Sequence, residues 1–501
     1  MPQALLALAG WSLFAFAGAY RWTVVPIVAG AAILAAVRRP RIAPPAHRLL
    51  DILIVTALLV PAVQLIPLPI GLHDRLSPAG VRARDVLRVG DVVATEAPLT
   101  LDPTGTAWSL ATALALLLVY WIARDTFERD GGLRQACRTL AWFGLALAVV
   151  MFVQRTTSPR HIYGFWAPIT RTAVPSPFGP FVNRNDFAAW LLLALPIVLG
   201  YGIARTASQA RGRRLVAAIE SALDARAALL GGAVLLMTAA LVASLSRSGL
   251  AGLGAGFLLL GALAWRRAGA AGSGAFAVAV VVLLGLAFQY TNMPALAFRL
   301  GEGLPADVDG RLAIWRETWS MTRDFLGVGI GLGAFEHGML VYQRSNRLLF
   351  FNHAHNEYLQ VLTEGGLALA VPAAAAVLVG AREAFLRLRR DEVAVFWIRA
   401  GALSGIVAVA IQSLWDTGLR MPANGVLFAI AAAVATHGRR SQSQGARPRR
   451  VRGETRAVER PTITPLEGLD EPPLERVRAP WPDPSGDTPA PPGADPGREE
   501  I

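Results

Sequence analysis

Residues 227–265 read AALLGGAVLLMTAALVASLSRSGLAGLGAGFLLLGALAW. Two apolar runs, 227–245 and 249–265, meet at Ser244-Leu-Ser-Arg-Ser-Gly249, a turn of almost no length. Each run approaches the roughly 20 apolar residues that a helix needs to cross the hydrocarbon core of a bilayer. Runs of this kind recur at 4–20, 22–37, 50–70, 105–123, 139–154, 186–204, 273–291, 356–381, 395–414 and 422–437. The pattern predicts an all-α polytopic membrane protein of about twelve transmembrane helices. Composition agrees. Of 501 residues, 54% are hydrophobic and 17% charged, where a soluble domain carries about a quarter charged. A single cysteine, Cys137, excludes an internal disulfide framework or a cysteine-rich metal site. All 48 basic residues are arginine, dispersed between the apolar runs, so the +13 charge forms no basic domain for nucleic acid.

Arginine placement predicts the orientation. Loops 38–48, 123–138, 205–226, 266–267 and 382–394 carry 19 arginines in about 64 residues. The alternate loops carry 17 spread over about 140 residues and mixed with acids. By the positive-inside rule the first set faces the cytoplasm. Both termini are then cytoplasmic in a multi-pass protein, and the largest loop, 292–355, lies outside. Ala15-Phe16-Ala17 resembles a signal-peptide cleavage site, but no basic n-region precedes it, so the first run reads as an uncleaved helix. Residues 1–437 form the membrane domain. The segment 438–501 holds 12 of the 33 prolines and no apolar periodicity, which predicts a disordered cytoplasmic tail. Its basic part, 439–460, reads as a stop-transfer flank, with contact to anionic lipid as the alternative.

Four polar clusters fall on the outer side. Phe178-Gly-Pro-Phe-Val-Asn-Arg-Asn-Asp-Phe187 enters the sixth helix, placing Asn183, Asn185 and Asp186 at a helix N-terminus that favours caps or anions. In Ser244–Gly249, Arg247 sits between Ser246 and Ser248, with Gly249 allowing close helix approach; that suits a packed polar site better than a lipid anchor. Residues 309–325 read as an amphipathic helix at the membrane interface. Leu312, Trp315 and Trp319 share one face, Arg316 and Arg323 lie elsewhere, and Asp309 caps the start beside Arg311. The alternating run Gly327–Gly333 follows a helix rather than a strand, so it is not a nucleotide loop. Finally, Asn352-His-Ala-His-Asn-Glu-Tyr-Leu-Gln360 opens the tenth helix. His353 and His355, two apart, are poorly spaced for a helical metal site, so no metal is expected. Glu357, Gln360 and Glu364 follow on one face, and an intramembrane carboxylate should face protein or a wet cavity.

Taken in order, Phe-Gly-x-Phe-x-Asn-Arg-Asn, Ser-Arg-Ser-Gly, Gly-Arg-x-x-Ile-Trp, Gly-x-Gly-x-Gly-x-Phe and His-Ala-His-Asn-Glu-Tyr-Leu-Gln-x-Leu-x-Glu-x-Gly resemble the O-antigen ligase and polymerase family across 178–366. The family pattern often has His where this chain has Asp186. The resemblance implies a GT-C-like membrane glycosyltransferase. It would move a glycan from an undecaprenyl-pyrophosphate carrier, at the periplasmic face, to a hydroxyl on lipid A-core or another acceptor, amid membrane lipids. It carries the family's essential arginines onto Arg247 and Arg311, and its essential histidine onto His355. Asn183, Asn185, Arg316, Asn356, Glu357 and Glu364 are the further candidates for holding substrate.

The residue chemistry fits independently. All three catalytic candidates fall on the predicted outer side. Guanidinium groups can stabilise a departing diphosphate without a metal or cofactor. Histidine is the ordinary base for a hydroxyl, and two nearby cations would keep it neutral. Direct attack at the anomeric carbon inverts configuration. A transporter or flippase is the rival class, but it should place its polar site near the midplane on broken helices in repeated halves. No internal repeat is visible. Arg399, inside the eleventh run, is the exception to the outer clustering, and snorkelling to the inner face is the expectation there. Ligation to lipid A-core, polymerisation and protein glycosylation share this donor chemistry, and the sequence does not choose among them.

Overall fold

The structure is a computed structural model. It describes residues 1–88, 95–129, 131–168, 176–209, 224–289, 304–345 and 351–438. The readings made for the tail beyond 438, and for 292–303 and 346–350 of the large loop, lie outside the described residues.

The chain is helical, in the order α1 (Pro2–Phe14), α2 (Arg21–Arg38), α3 (Arg48–Gln64), β1 (Pro67–Pro69), α4 (Ile70–Leu76), α5 (Pro78–Leu87), β2 (Glu96–Pro98), α6 (Pro103–Arg129), α7 (Leu133–Thr157), α8 (Arg184–Gln209), α9 (Ala225–Ala243), α10 (Arg247–Gln289), α11 (Leu304–Asp324), α12 (Phe335–Tyr342), α13 (Glu357–Leu388), α14 (Val393–Gln412) and α15 (Pro422–Thr436). Among the described residues eight helices are long and apolar enough to cross a membrane. The chain is a multi-pass membrane protein. The other stretches read as spans correspond to shorter helices. α1 stops at Phe14 because Phe16 and Ala17 turn into left-handed conformation, and α10 breaks at Gly269 before its last apolar part, Phe276–Ala287.

α8 is the centre. From Phe187 to Leu195 its side chains are at most 2% exposed on every face, as in a helix enclosed by others rather than by lipid. α14 and α10 reach it through glycine. A Cβ on Gly401 or Gly405 would strike the α8 backbone, and one on Gly252 or Gly256 would strike that of α14. Small residues at this spacing let membrane helices pack backbone to backbone where no hydrophobic force drives them together.

The two sets of loops separate cleanly. At one end Arg124 grips Asp51 through two bonds of 2.8 and 2.7 Å, both side chains buried. Arg38 pairs with Asp125 at 2.7 Å, and His47 lies between Glu128 (3.1 Å) and Glu383 (2.8 Å). Arg399 belongs here and does not snorkel. It is 2% exposed, pairs with Asp391, and donates to the carbonyls of Val434, Ala435 and His437 that close α15. A buried guanidinium that caps three carbonyls and pairs with a carboxylate has no reason to reach for water. These are the loops that carry the dense arginines.

At the other end the described part of the large loop folds into a small second core. Met321, Phe325, Ile330, Phe335 and Met339 pack against Ala79, Ala83 and Leu101, beside the antiparallel pair β1–β2. α11 starts at Leu304, so Asp309 lies inside it and does not cap it. Its buried face is Ile314, Thr318, Met321 and Thr322, while Leu312 and Trp319 are exposed and Trp315 turns inward.

Candidate active site

α13 is broken in its third turn. Gly366 has φ +60°, and the helix restarts beyond it. A break inside a membrane helix frees carbonyls that must be satisfied within the protein. The glycine run does this. The N–H groups of Ile330 and Gly331 donate to Thr363 and Glu364 O at 3.1 and 3.0 Å, and those of Leu367 and Ala368 donate back to Leu326 and Gly327 O at 2.8 and 3.1 Å. Gln64, at the end of α3, donates to Val328 O (2.6 Å) and Glu364 O (2.9 Å). Gly329 and Gly331 have φ +73° and +108°, and a Cβ on either would collide with Glu364 or Thr100. The run is therefore a splint for the break, which fixes the carboxylate of Glu364 next to it.

That carboxylate is fully buried and meets Arg420 Nη1 at 2.9 Å. Arg420 Nε lies 3.2 Å from Glu357. Gln360 extends the network: its amide donates to Glu364 (3.1 Å), accepts from the N–H of Ala354 (2.9 Å) and meets His353 Nδ1 (3.3 Å). Trp315 Nε1–H donates to Ala354 O at 2.9 Å, pinning α11 to the histidine loop. Burial, Arg420 and His355 push His353 down to about 3, so it is neutral.

His355 follows with φ +50°, a left-handed conformation uncommon outside glycine that its surroundings hold in place. Asn356 then caps α13, accepting from Leu359 N–H at 2.9 Å. The His355 imidazole lies in the field of Asp416 and Arg311. Burial lowers its pKa from 6.5, Asp416 opposes that, and Arg311 adds to it. Burial raises Asp416, against the pull of Thr417 N–H, His355, Arg311 and Asn185. The expectation that two cations keep His355 neutral thus needs changing: burial comes first, and of the two candidate arginines Arg311 is the one that acts on it.

Asn185 connects this group to Arg247. Its side chain supports Asp416 and accepts from Ser246 Oγ–H at 2.8 Å. Ser246 also accepts from Gly249 N–H at 3.1 Å, capping α10, so Arg247 occupies the first turn of that helix. Leu245, with φ +55°, makes the bend. Asn183 caps α8, accepting from Asn185 N–H at 2.9 Å. Arg316 is exposed and joins no contact of this network among the described residues. The structure therefore brings Arg247, Arg311, His355, Asn185, Glu357 and Glu364 to one end, and uses Asn183 and Asn356 as helix caps.

Sequence reasoning missed Asp416 and Arg420. Both lie in the short link between α14 and α15, which is knitted into the site. Ser413 O accepts from Glu357 N–H (3.0 Å), Gln412 donates to Asn185 O (2.8 Å), and Asn424 donates to Asp186 O (2.9 Å) and Gly418 O (2.8 Å). The available signal was an acid and a base four residues apart between two apolar runs, where Arg420 counted only as a loop charge.

The fold and site together define a multi-pass membrane protein with a cluster of arginine, histidine and carboxylate side chains at one end of its helix bundle. Residues 232–374 match the family described as O-antigen ligase. The match takes in Arg247, Arg311, His355, Glu357 and Glu364, whereas Asn185, Asp416 and Arg420 lie outside it. No curated protein matches the chain.

Proposed function

We propose that this protein is an inverting, metal-independent glycosyltransferase of GT-C-like architecture with about twelve membrane helices. It transfers a glycan from an undecaprenyl-pyrophosphate carrier to a hydroxyl acceptor at the periplasmic face of the inner membrane. O-antigen ligation to lipid A-core is the reading adopted. Polymerisation and protein O-glycosylation use the same step. The observation that carries it is the meeting of His355, Asp416 and Arg311 at one place, joined through Asn185 to the turn that bears Arg247.

The acceptor hydroxyl attacks the anomeric carbon as the bond to the diphosphate oxygen breaks. Its proton passes to His355, and Asp416 stabilises the imidazolium that forms. Arg247 and Arg311 neutralise the departing diphosphate. Asp186, where the family often has histidine, stands near Asp416 as a second carboxylate whose role in transfer is open to mutation. The transporter reading has one feature in its favour, the broken helix α13, but the carbonyls freed there are filled by the backbone of 326–331 rather than left for an ion.

The test is Arg311→Lys in the purified protein. An ammonium keeps the charge but loses the planar two-point grip on phosphate oxygens, so donor binding should fall at least tenfold and turnover with it. Donor binding equal to wild type would remove Arg311 from the diphosphate site. Chelation by EDTA should leave transfer intact; loss restored by Mg²⁺ would assign a cation to Glu357, Glu364 or Asp186.

Orientation has its own test. Cys137→Ser gives a cysteine-free background. Single cysteines near 90, 170 and 330 should react with an impermeant thiol reagent in cells with a permeabilised outer membrane, and those near 210 and 385 should not. Labelling at 210 would invert the protein and put the site on the cytoplasmic side.

A further inference from the structure

The end of the bundle that holds the site also carries an aromatic surface that the transfer step does not use. Two loops distant in sequence build it: 16–22, between α1 and α2, and 163–166, after α7. Phe16 is the hub, with ring centroids 5.5 Å from Tyr20, 5.7 Å from Trp22, 5.8 Å from Tyr163 and 5.1 Å from Trp166. Tyr20 stacks on Trp22 and Tyr163 on Phe165 with interplanar angles of 9° and 26°. Polar tips lock the loops together: Trp166 Nε1–H donates to the Tyr20 hydroxyl at 2.7 Å and Tyr163 to Phe14 O at 2.6 Å.

The arrangement is held under backbone strain. Phe16, Ala17 and Tyr163 all have φ near +55°. Even so, the outer faces stay open, with Trp22 52% and Phe165 71% exposed. Arg21, between the two stacked rings in sequence, lines a shallow, open groove with Thr104 and Trp108 of α6.

This surface is continuous with the site along two routes. Gly18 packs on Pro422, the first residue of α15, two residues beyond Arg420 and the end of the link that carries Asp416. Tyr163 N–H donates to Gln154 (3.3 Å), which donates to Pro177 O (3.1 Å), where the chain enters the segment leading to Asn185.

We propose that the surface formed by Tyr20, Trp22, Phe165 and Trp166, with Arg21 and Thr104 at its edge, binds a pyranose ring of the acceptor glycan. Flat apolar rings match the C–H face of a sugar, and the guanidinium and hydroxyl at the rim match its ring hydroxyls. The acceptor is assigned over the donor by position. The patch reaches the site through the start of α15 and the link that carries Asp416, which stabilises the base that receives the acceptor's proton. This inference rests on the transfer reading above.

The test places the photoreactive residue p-benzoylphenylalanine at Trp22 or Phe165 of the full chain in its native host, and identifies the adducts by mass. Adducts carrying sugar without a polyprenyl diphosphate are the expected result. Adducts with phospholipid alone, or none carrying sugar, would make the patch a membrane-interface belt and overturn the proposal. Sugar still joined to polyprenyl diphosphate would place the donor there and overturn it too. In parallel, Trp22→Ala with Phe165→Ala should lower transfer about tenfold at unchanged protein level, with Trp22→Tyr restoring most of it. The transfer reading fails separately: if His355→Ala still transfers while sugar adducts form, a saccharide site stands without that chemistry. If His355→Ala abolishes transfer and no adduct carries sugar, the chemistry stands and this subsite does not.

Discussion

His355→Ala inserts and folds normally and loses between about 10²- and 10⁴-fold in transfer, the range a general base contributes. The imidazole occupies a loop outside the helices, and its Nδ1 has no hydrogen-bond partner among the described residues. His353→Ala behaves differently. That ring is bound to Gln360 and lies behind the site, and its loss should soften the loop while leaving most of the turnover. The acid limb of turnover supplies a second reading of the same residue. Burial and Arg311 favour the neutral imidazole and Asp416 opposes them, with a net lowering from 6.5. A base must be unprotonated to act, so activity should be full above that value and fall as acid protonates the ring below it. Asp416→Asn removes the opposing charge and should move the limb further to acid while lowering the maximum. If His355→Ala turned over normally, the hydroxyl would be activated by another group, with Glu357 next in line.

The membrane fold is legible because its cause is one-dimensional. An apolar run of membrane length forms a helix whatever its neighbours do, and arginine density alone sorts the loops into the two groups that the structure gathers at opposite ends. Arg247, Arg311 and His355 are legible because each sits in a short motif that survives as a string. Asp416 and Arg420 belong to no string. Their importance arises from the fold, where the α14–α15 link closes over the start of α8 and of α13, and only that closure turns two ordinary loop charges into the partners of His355 and Glu364. Arg399 shows the same limit in reverse. Its position near a helix end suggested an escape to water, but the carbonyls it binds come from α15, some 35 residues away. The glycine run shows a third form of it, since alternation reveals that the backbone must bend but not that the bend splints a break in another helix.

Arg420→Ala should cost more stability than any other single change at this end. The guanidinium is the counter-charge of Glu364, which has no exposed surface, and of Glu357. Removing one partner of a buried pair costs about 3–5 kcal/mol because the remaining charge stays desolvated. The protein should then either be degraded or unfold at clearly lower temperature in detergent. The remedy follows from the cause. Arg420→Ala combined with Glu364→Gln leaves a neutral amide that can still bond Gln360, and the double variant should be more stable than Arg420→Ala alone. A coupling of this sign, measured by thermal unfolding of the wild type, both single variants and the double, assigns Glu364 and Arg420 to the scaffold that holds the break in α13. The opposite outcome is as informative. An Arg420→Ala protein that unfolds like wild type but no longer transfers would mean that the two carboxylates find another cation or a proton, and that Arg420 faces substrate. Glu357 and Glu364 would then belong with the groups that hold the glycan, and the splinted helix would be a binding element instead of a support.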